Sequence, residues 1–318
     1  MADRTPDVAI LVVGGRGLLG SAVLRELRRQ GLEPERAVVP WSDPEAAVEE
    51  LATATERLVS RGVPWRVYWC AGSGVVASQR AQLDAEVTTL DGFLTRLAAH
   101  LSPEAARQGA VFLASSAGGV YAGSEGSPFT EQTEPRAISP YGEAKLAAEA
   151  RMRAFASESG VPLLIGRIAN LYGPGQDPGK AQGLISVLCR AHLGRRPSSI
   201  YVSLDTARDY IYVDDVARLA IAGTDRVAAS GPGAALVKIL ASQTGTTVAA
   251  ILGELRRITK HRPRVVLGVS AAARFQARDL RFRSVVWPDL DRLVTTGLPT
   301  GMAATMRSAL AERAAPTH

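Results

Sequence analysis

An α/β fold built on a doubly wound parallel sheet is the architecture this sequence predicts, and three observations predict it. Short apolar runs ending in small residues recur along the first half of the chain. Between them lie segments whose apolar residues repeat at helical spacing. A cluster of glycines marks the first junction between the two kinds of segment. Strands alternating with helices in this way form a parallel sheet covered on both faces.

Taken in order, Val8–Val13 reads as a buried strand and Leu18–Gln30 as a helix with arginines on its outer face. Ala37–Val39 reads as a second short strand. Ser42-Asp43-Pro44-Glu45 has the form of a helix start, with Ser42 or Asp43 as cap and Pro44 in the first turn, and that helix should run to about Ser60. Val67–Cys70 is the next strand, followed by a helix over Leu83–His100, a strand at Ala110–Ala114, a helix over Tyr141–Ser157 and a strand at Leu163–Ile168. The stretch 173–210 is less regular and richer in Gly, Pro and Arg. Residues 1–172 with about 205–235 are expected to form the sheet domain, and about 173–204 with 236–318 a smaller C-terminal α/β substrate lobe.

The 318 residues are 46% hydrophobic and 21% charged, the composition of a globular protein with a large core. Net charge is +6 with a pI near 9.6, which points to an anionic partner. Four of the cations are lysines (Lys145, Lys180, Lys238 and Lys260) and the rest are arginines, with no basic run of the kind that binds nucleic acid. The densest group, Arg256, Arg257, Lys260, His261, Arg262 and Arg264, fits the polar face and end of a surface helix. A phosphate-bearing small molecule is the better expectation. Cys70 and Cys189 lie far apart and form no disulfide framework or zinc spacing, which suits a reducing cytoplasm. The opening Met1–Asp7 has no apolar signal core, and no apolar stretch reaches the roughly 20 residues of a membrane span. His100, His192, His261 and His318 are far apart in sequence and show no metal-ligand spacing.

Gly14-Gly15-Arg16-Gly17-Leu18-Leu19-Gly20 fits both G-x-G-x-x-G and G-x-x-G-x-x-G, after a strand and opening a helix. The glycines permit a tight turn, a close approach of backbone to a pyrophosphate, and helix–strand packing, while the helix N-terminus presents free N–H groups. A dinucleotide is therefore expected, and the reading is Rossmann-type. The acidic residue that would hold the ribose of NAD has no clear counterpart; Asp43 is near the expected position. Arg16 suits a 2′-phosphate, so the expectation is NAD or NADP with a lean to NADP.

Tyr141 and Lys145 stand at i and i+4, on one face of a helix that begins after Ser139-Pro140. A neighbouring ammonium favours the phenolate, and a phenolate so placed exchanges a proton with a carbinol while a hydride moves to or from nicotinamide.

Six segments now stand in sequence order: Gly14–Gly20, Val67–Gly72, Ser115–Tyr121, Ser139–Leu146, Arg167–Gln176 and Arg208–Val216. On these residues, over about positions 8 to 220, the chain resembles the NAD-dependent epimerase/dehydratase family, the extended short-chain dehydrogenases/reductases. The resemblance implies Tyr141 as acid/base, with Lys145 as its partner and a contact to the nicotinamide ribose. It implies a hydroxyl near Ser115-Ser116 bonded to the reacting oxygen, and Asn170 and Arg208 on the diphosphate of a nucleotide-sugar. The cofactor groove it implies is lined by Gly14, Gly15, Arg16, Gly17, Leu18, Leu19, Gly20, Ser42, Asp43, Cys70, Ala71, Gly72 and Ile168, with Tyr141 and Lys145. It also implies a homodimer formed through the helix around Leu83–His100 and the one carrying Tyr141.

The chain departs from the family pattern in four places. Ala117 occupies the usual position of the catalytic hydroxyl, leaving Ser116 first and Ser115 second for that role. Ala117-Gly118 replaces the Asp-Glu pair of sugar dehydratases, so epimerisation through a 4-keto sugar, or 4-ketoreduction, is expected ahead of dehydration. The stretch before Val67 is short for the strand that normally follows the second one. Ser203-Leu204-Asp205 replaces a Gly-Asp-Gly turn. A non-catalytic NAD(P)-binding sensor on the same fold is the reading from another class. Asp214-Asp215 is read as a helix cap, and Arg278 and Arg281 as further phosphate contacts.

Overall fold

The computed structural model describes residues 8–72, 74, 78–177, 183–268 and 277–314; Met1–Asp7, Lys180 and His318 lie outside the described residues. The first strand, β1 (Ala9–Val13), is wholly buried and runs into the glycine-rich turn and α1 (Leu18–Arg29). A two-residue β2 (Glu35–Arg36) follows, then α2 (Pro44–Val59), β3 (Trp65–Trp69), α3 (Arg80–His100), α4 (Pro103–Gln108) and β4 (Gly109–Ser116). A single turn, α5 (Ala117–Val120), leaves the end of β4, and α6 (Pro140–Ser159) leads into β5 (Leu163–Ile168).

The sheet completes itself later in the chain. After β6 (Asn170–Tyr172), α7 (Leu184–Leu193), β7 (Ser198–Ile200), β8 (Ala207–Tyr212) and α8 (Val213–Ala228), the strand β9 (Ala235–Leu240) pairs in parallel with β5. The order is β2-β1-β3-β4-β5-β9, and every pairing is parallel. Alternation puts Ile10 and Val12 against α1 and α8 on one face, and Ala9, Leu11 and Val13 against α2, α3 and α6 on the other. Each large side chain taken from water here, such as Phe112 or Phe93, stabilises the fold by about 1.5–3 kcal/mol.

The remaining elements, β10 (Gly245–Thr247), α9 (Val248–Thr259), β11 (Val265–Leu267), β12 (Asp279–Leu280) and α10 (Leu298–Ala314), belong to the lobe. Its central strand is β8, which pairs with β6, β10 and β12. Tyr172, Ile185, Leu188, Ile251, Leu255 and Met302 form its core. The basic group noted in the sequence falls on the last turn and C-cap of α9 and beyond, as the surface-helix reading requires. No described helix is long and apolar enough to cross a membrane.

Several expectations need correction. The second strand lies at Glu35–Arg36, not Ala37–Val39. As the sheet's edge it needs only one partner and tolerates charge, and the chain then leaves the sheet, so Val38 is 59% exposed. The sheet domain does not end at 235, because β9 carries it to Leu240. Nor does all of 205–235 join that sheet, since β8 is in the lobe. Asp214 and Asp215 occupy the first turn of α8, with Tyr212 at the cap position. Asp215 is fully buried and accepts from the backbone N–H of Thr296 at 3.1 Å and its hydroxyl at 3.0 Å, and it pairs with Arg218. The sequence reading also passed over α4, although Ser102-Pro103-Glu104 carries the same cap signal as Asp43-Pro44-Glu45.

Candidate active site

The glycine-rich turn lies where β1 meets β3. Gly14 adopts φ +81°, and a side chain there would meet the Ala71 backbone nitrogen at 2.6 Å. Only glycine allows this approach. Gly17 caps α1 without a side-chain hydrogen bond, and the first turn holds no acidic residue, so the helix N-terminus faces outward bare. Leu19 and Gly20 are buried beneath it and Leu18 is half-buried. These features fit a pyrophosphate held by backbone N–H groups. Arg16 is exposed beside the turn. Ser42 is exposed, and Asp43 caps α2, its Oδ1 accepting from the Ala46 N–H at 3.1 Å.

Cys70 and Ala71 follow β3 and half-line the same edge; burial pushes the Cys70 thiol up to about 12, so it stays protonated. Ile168, at the end of β5, pairs in register with Ser116 and Leu240 and is nearly buried.

The Tyr141 side chain stands on the first turn of α6. Ser139 caps that helix by accepting from the Gly142 N–H at 3.2 Å, and Pro140 fixes its entry. Opposite stands Ser116, the last residue of β4 and the cap of α5, its Oγ accepting from the Gly119 N–H at 3.1 Å. A Cβ placed on Gly119 would lie 2.9 Å from the Tyr141 ring and 3.3 Å from Ser116 Oγ. The tyrosine ring therefore packs directly on the Gly119 backbone, with the serine hydroxyl close beside it, an approach that a side chain at 119 would block. Lys145 Nζ lies 5.7 Å from the Tyr141 ring centroid and 3.5 Å from the Ala114 carbonyl oxygen, and borders Gly72.

Ser115 has a different position. One residue along the strand, it points to the opposite side, where its hydroxyl donates to Glu149 Oε1 at 2.6 Å. Glu149 is fully buried, two turns along α6 from Tyr141, and takes a two-pronged bond from Arg167 at 3.0 and 2.7 Å. Arg167 also donates to the Tyr121 hydroxyl at 2.6 Å. Burial works to raise the Glu149 pKa, but the Arg167 bonds and charge outweigh it and hold the carboxyl below its usual range. Glu149→Ala strands a buried guanidinium, so urea unfolding should show a loss of about 3–5 kcal/mol; a loss below about 1 kcal/mol would contradict this role.

Sequence reasoning missed Glu149 and Arg167, although Glu149 continues the i, i+4 face of Tyr141 and Lys145. It also missed Glu86 of α3, whose Oε1 accepts from the Gly74 N–H at 3.0 Å and whose other oxygen, like Lys145 Nζ, borders Gly72.

The second group lies on the lobe strands. Asn170 of β6 donates through Nδ2 to the Asp209 carbonyl at 3.0 Å, which turns it toward β8. Arg208 is 7% exposed and donates to the carbonyl oxygens of Ala207 at 2.9 Å and Arg278 at 3.3 Å. Among the described residues it forms no ion pair, although the Asp279 charge acts on it from further off. Asp205 is taken by Arg278, and Asp209 by Ser242. Burial draws the Arg208 pKa below the ordinary guanidinium value. Arg278 and Arg281 are both ion-paired at the surface, to Asp205 and to Asp279 respectively.

Asp209 itself is fully buried, and among the described residues its Oδ2 has no hydrogen-bond partner. Burial raises its pKa to about 6, against bonds from Ser242 that lower it. The folded state therefore holds this proton more tightly than the unfolded chain. Stability falls as pH rises from about 4 to about 6, by roughly 3 kcal/mol at most. Urea midpoints across that range should show this slope in the native chain and lose it in Asp209→Asn; equal slopes would contradict it.

His192 and His261 come together, with ring centroids 6.4 Å apart, and burial followed by the His261 charge lowers the His192 pKa. Among the described residues no group of three or more His, Cys, Asp or Glu is placed to hold a metal.

Residues 10–237 match the NAD dependent epimerase/dehydratase family. The chain belongs to that family. UDP-glucose 4-epimerase of Azospirillum brasilense is 32% identical over an alignment of 245 positions that covers 68% of each chain. The dTDP-L-rhamnose 4-epimerase of Burkholderia thailandensis is 36% identical over 93 residues, 29% of this chain and only 26% of that relative. Among solved structures, UDP-glucose 4-epimerase of Thermotoga maritima with UDP-glucose superposes with a TM-score of 0.80 at 23% identity, covering 96% of this chain and 99% of that one. MoeE5 in complex with UDP-glucose and NAD gives 0.79 at 23% identity, with the same coverage. At that identity the likeness is one of fold.

Proposed function

We propose that this chain catalyses NAD(P)-dependent oxidoreduction at a ring carbon of a nucleotide-sugar, as an epimerase working through a transient 4-keto sugar or as a 4-ketoreductase. The observation that carries the reading is the close grouping of the Tyr141 ring and Ser116 Oγ about Gly119, with Lys145 Nζ 5.7 Å from the ring centroid. A bound nicotinamide supplies a site that accepts and returns a hydride. Tyr141 takes the proton of the sugar hydroxyl as the carbon is oxidised and gives it back on reduction. Lys145 stabilises the negative charge that develops on the phenolic oxygen, and Ser116 holds the reacting oxygen by a hydrogen bond. Ser115 is the weaker alternative for that bond, being committed to Glu149.

A buried Arg208 bonded only to carbonyl oxygens supports an anionic substrate group, and Asn170 beside it supports a diphosphate. Gly14–Gly20, Cys70–Gly72 and Ile168 line the proposed dinucleotide groove, with Ser42 and Asp43 at its rim and Arg16 favouring NADP over NAD. Domain roles follow: the six-stranded unit holds the dinucleotide and the lobe holds the sugar. A homodimer through α3 and α6, which pack against each other, in a reducing cytoplasm completes the proposal.

Dehydration is the second reading. A dTDP-glucose 4,6-dehydratase of Salmonella typhimurium is 36% identical over 90 residues. Ala117 and Gly118 leave no acid and base beside Ser116 for elimination, which favours the simpler chemistry. To decide, UDP-, dTDP- and GDP-sugars are incubated with sub-stoichiometric dinucleotide and followed by NMR. A new isomer without accumulated reduced cofactor makes the chain an epimerase, and reduced cofactor in step with a keto-sugar makes it a dehydrogenase/reductase. Loss of water from the sugar would favour the dehydratase, and no conversion of any sugar would contradict the proposal.

A further inference from the structure

The end of β2 lies beside the glycine-rich turn, and its last residue is Arg36. Arg36 pairs in register with Val12, one residue before β1 ends, and the Ala37 N–H donates to the Val12 carbonyl at 3.1 Å. The stem of Arg36 runs over the turn. A Cβ on Gly15 would lie 2.6 Å from its Cγ and 3.0 Å from its Cδ. The stem is therefore laid across the backbone of the phosphate-binding turn, while the residue as a whole remains exposed. Among the described residues its guanidinium has neither a hydrogen bond nor an ion pair, and the same holds for Arg16 on the turn itself.

The carboxylates nearby are spoken for. Glu35 is the adjacent strand residue and therefore points to the other side, where it pairs with Arg57 at 3.0 Å. Asp43 is the first acidic residue after β2, and it caps α2. A ribose diol is normally held at this position by a carboxylate that accepts from its hydroxyls, and such a carboxylate repels a 2′-phosphate. Two unpaired guanidiniums have the opposite preference, because their planar forks match phosphate oxygens.

We infer that Arg36, with Arg16 assisting, binds the adenosine 2′-phosphate, so that this chain selects the 2′-phosphorylated dinucleotide. The inference rests on the dinucleotide reading proposed above. Arg36 is the principal residue because its stem is already fixed against Gly15, so less side-chain freedom is lost when the phosphate is bound.

The test is calorimetric binding of 2′,5′-ADP, 5′-AMP, NADP and NAD to the whole chain and to Arg36→Ala, Arg16→Ala and Arg36→Asp. The native chain should bind 2′,5′-ADP more tightly than 5′-AMP by about tenfold to a hundredfold, the range expected for charge-assisted bonds to one phosphate. That preference should weaken as salt is raised. Arg36→Ala should lose most of the preference while keeping its affinity for 5′-AMP, Arg16→Ala should lose a smaller part, and Arg36→Asp should turn the preference toward NAD. Circular dichroism checks that these exposed positions leave the fold intact. Equal binding of the two nucleotides by the native chain, or an undiminished preference in Arg36→Ala, overturns the inference and leaves the dinucleotide reading standing. Failure to bind either NADP or NAD would instead remove that reading, and the inference with it.

Discussion

Tyr141→Phe should lower turnover of the nucleotide-sugar by about 10²–10⁴-fold, the range for a lost general acid/base, while dinucleotide affinity stays within about twofold. The substitution removes one oxygen and keeps the ring that borders Gly74 and fills the space beside Gly119. Pro140 and the Ser139 cap still fix the first turn of α6. The fold and the groove therefore persist, and the loss is chemical. Steady-state kinetics and dinucleotide titration on the same preparation separate the two effects. Full activity in this variant would remove the proposed mechanism; a chain that only senses dinucleotide would show no turnover to lose.

Arg208→Ala should weaken nucleotide-sugar binding by about 10–150-fold and leave dinucleotide binding unchanged. This guanidinium is buried against two carbonyl oxygens and forms no ion pair among the described residues, with only the Asp279 charge acting on it from further off. Such a cation is costly to bury unless a ligand neutralises it. The diphosphate of the substrate would do so. Arg208→Lys should recover only part of the affinity, since an ammonium keeps the charge but not the two-pronged geometry. Titration with a nucleotide-sugar and with a free sugar checks the assignment. An equal loss for both, or no loss for either, would contradict a diphosphate role.

The sheet was legible because its signals are local. Apolar runs, the glycine turn at Gly14–Gly20 and the Ser139-Pro140 start each act within a few residues, and the strands and helices they mark are present. What failed was set by distant partners. The apolar Ala37–Val39 run reads as a strand, yet β1 pairs with Glu35 and Arg36, and nothing in that stretch says which residues β1 will choose. Asp214-Asp215 reads as a cap until Thr295 and Thr296, far along the chain, claim Asp215. The same limit governs the site. Tyr141 and Lys145 are visible from their spacing. The sequence ranks Ser116 above Ser115, but only the alternation of β4 against α6 turns Ser116 toward Tyr141 and Ser115 toward Glu149. Beyond α8 the segment is held by the buried Lys238, which donates to Ser284 Oγ at 2.8 Å, the Val286 carbonyl at 2.6 Å and Asp291 at 2.7 Å. A lone lysine in an apolar strand gives no hint of those partners.

The central claim is that a hydride leaves a sugar ring carbon for a nicotinamide bound in this groove, with Tyr141 moving the proton. The most direct measurement mixes UDP-glucose and dTDP-glucose, each deuterated at ring carbon 4, with the native chain and excess oxidised dinucleotide, and examines the cofactor by mass spectrometry. In samples quenched within a single turnover, the reduced cofactor should carry the deuterium in the native chain, and this signal should be lost to the extent that turnover is lost in Tyr141→Phe. Conversion of the sugar with loss of the deuterium to solvent, or with no deuterated reduced cofactor at any quench time, would contradict the claim.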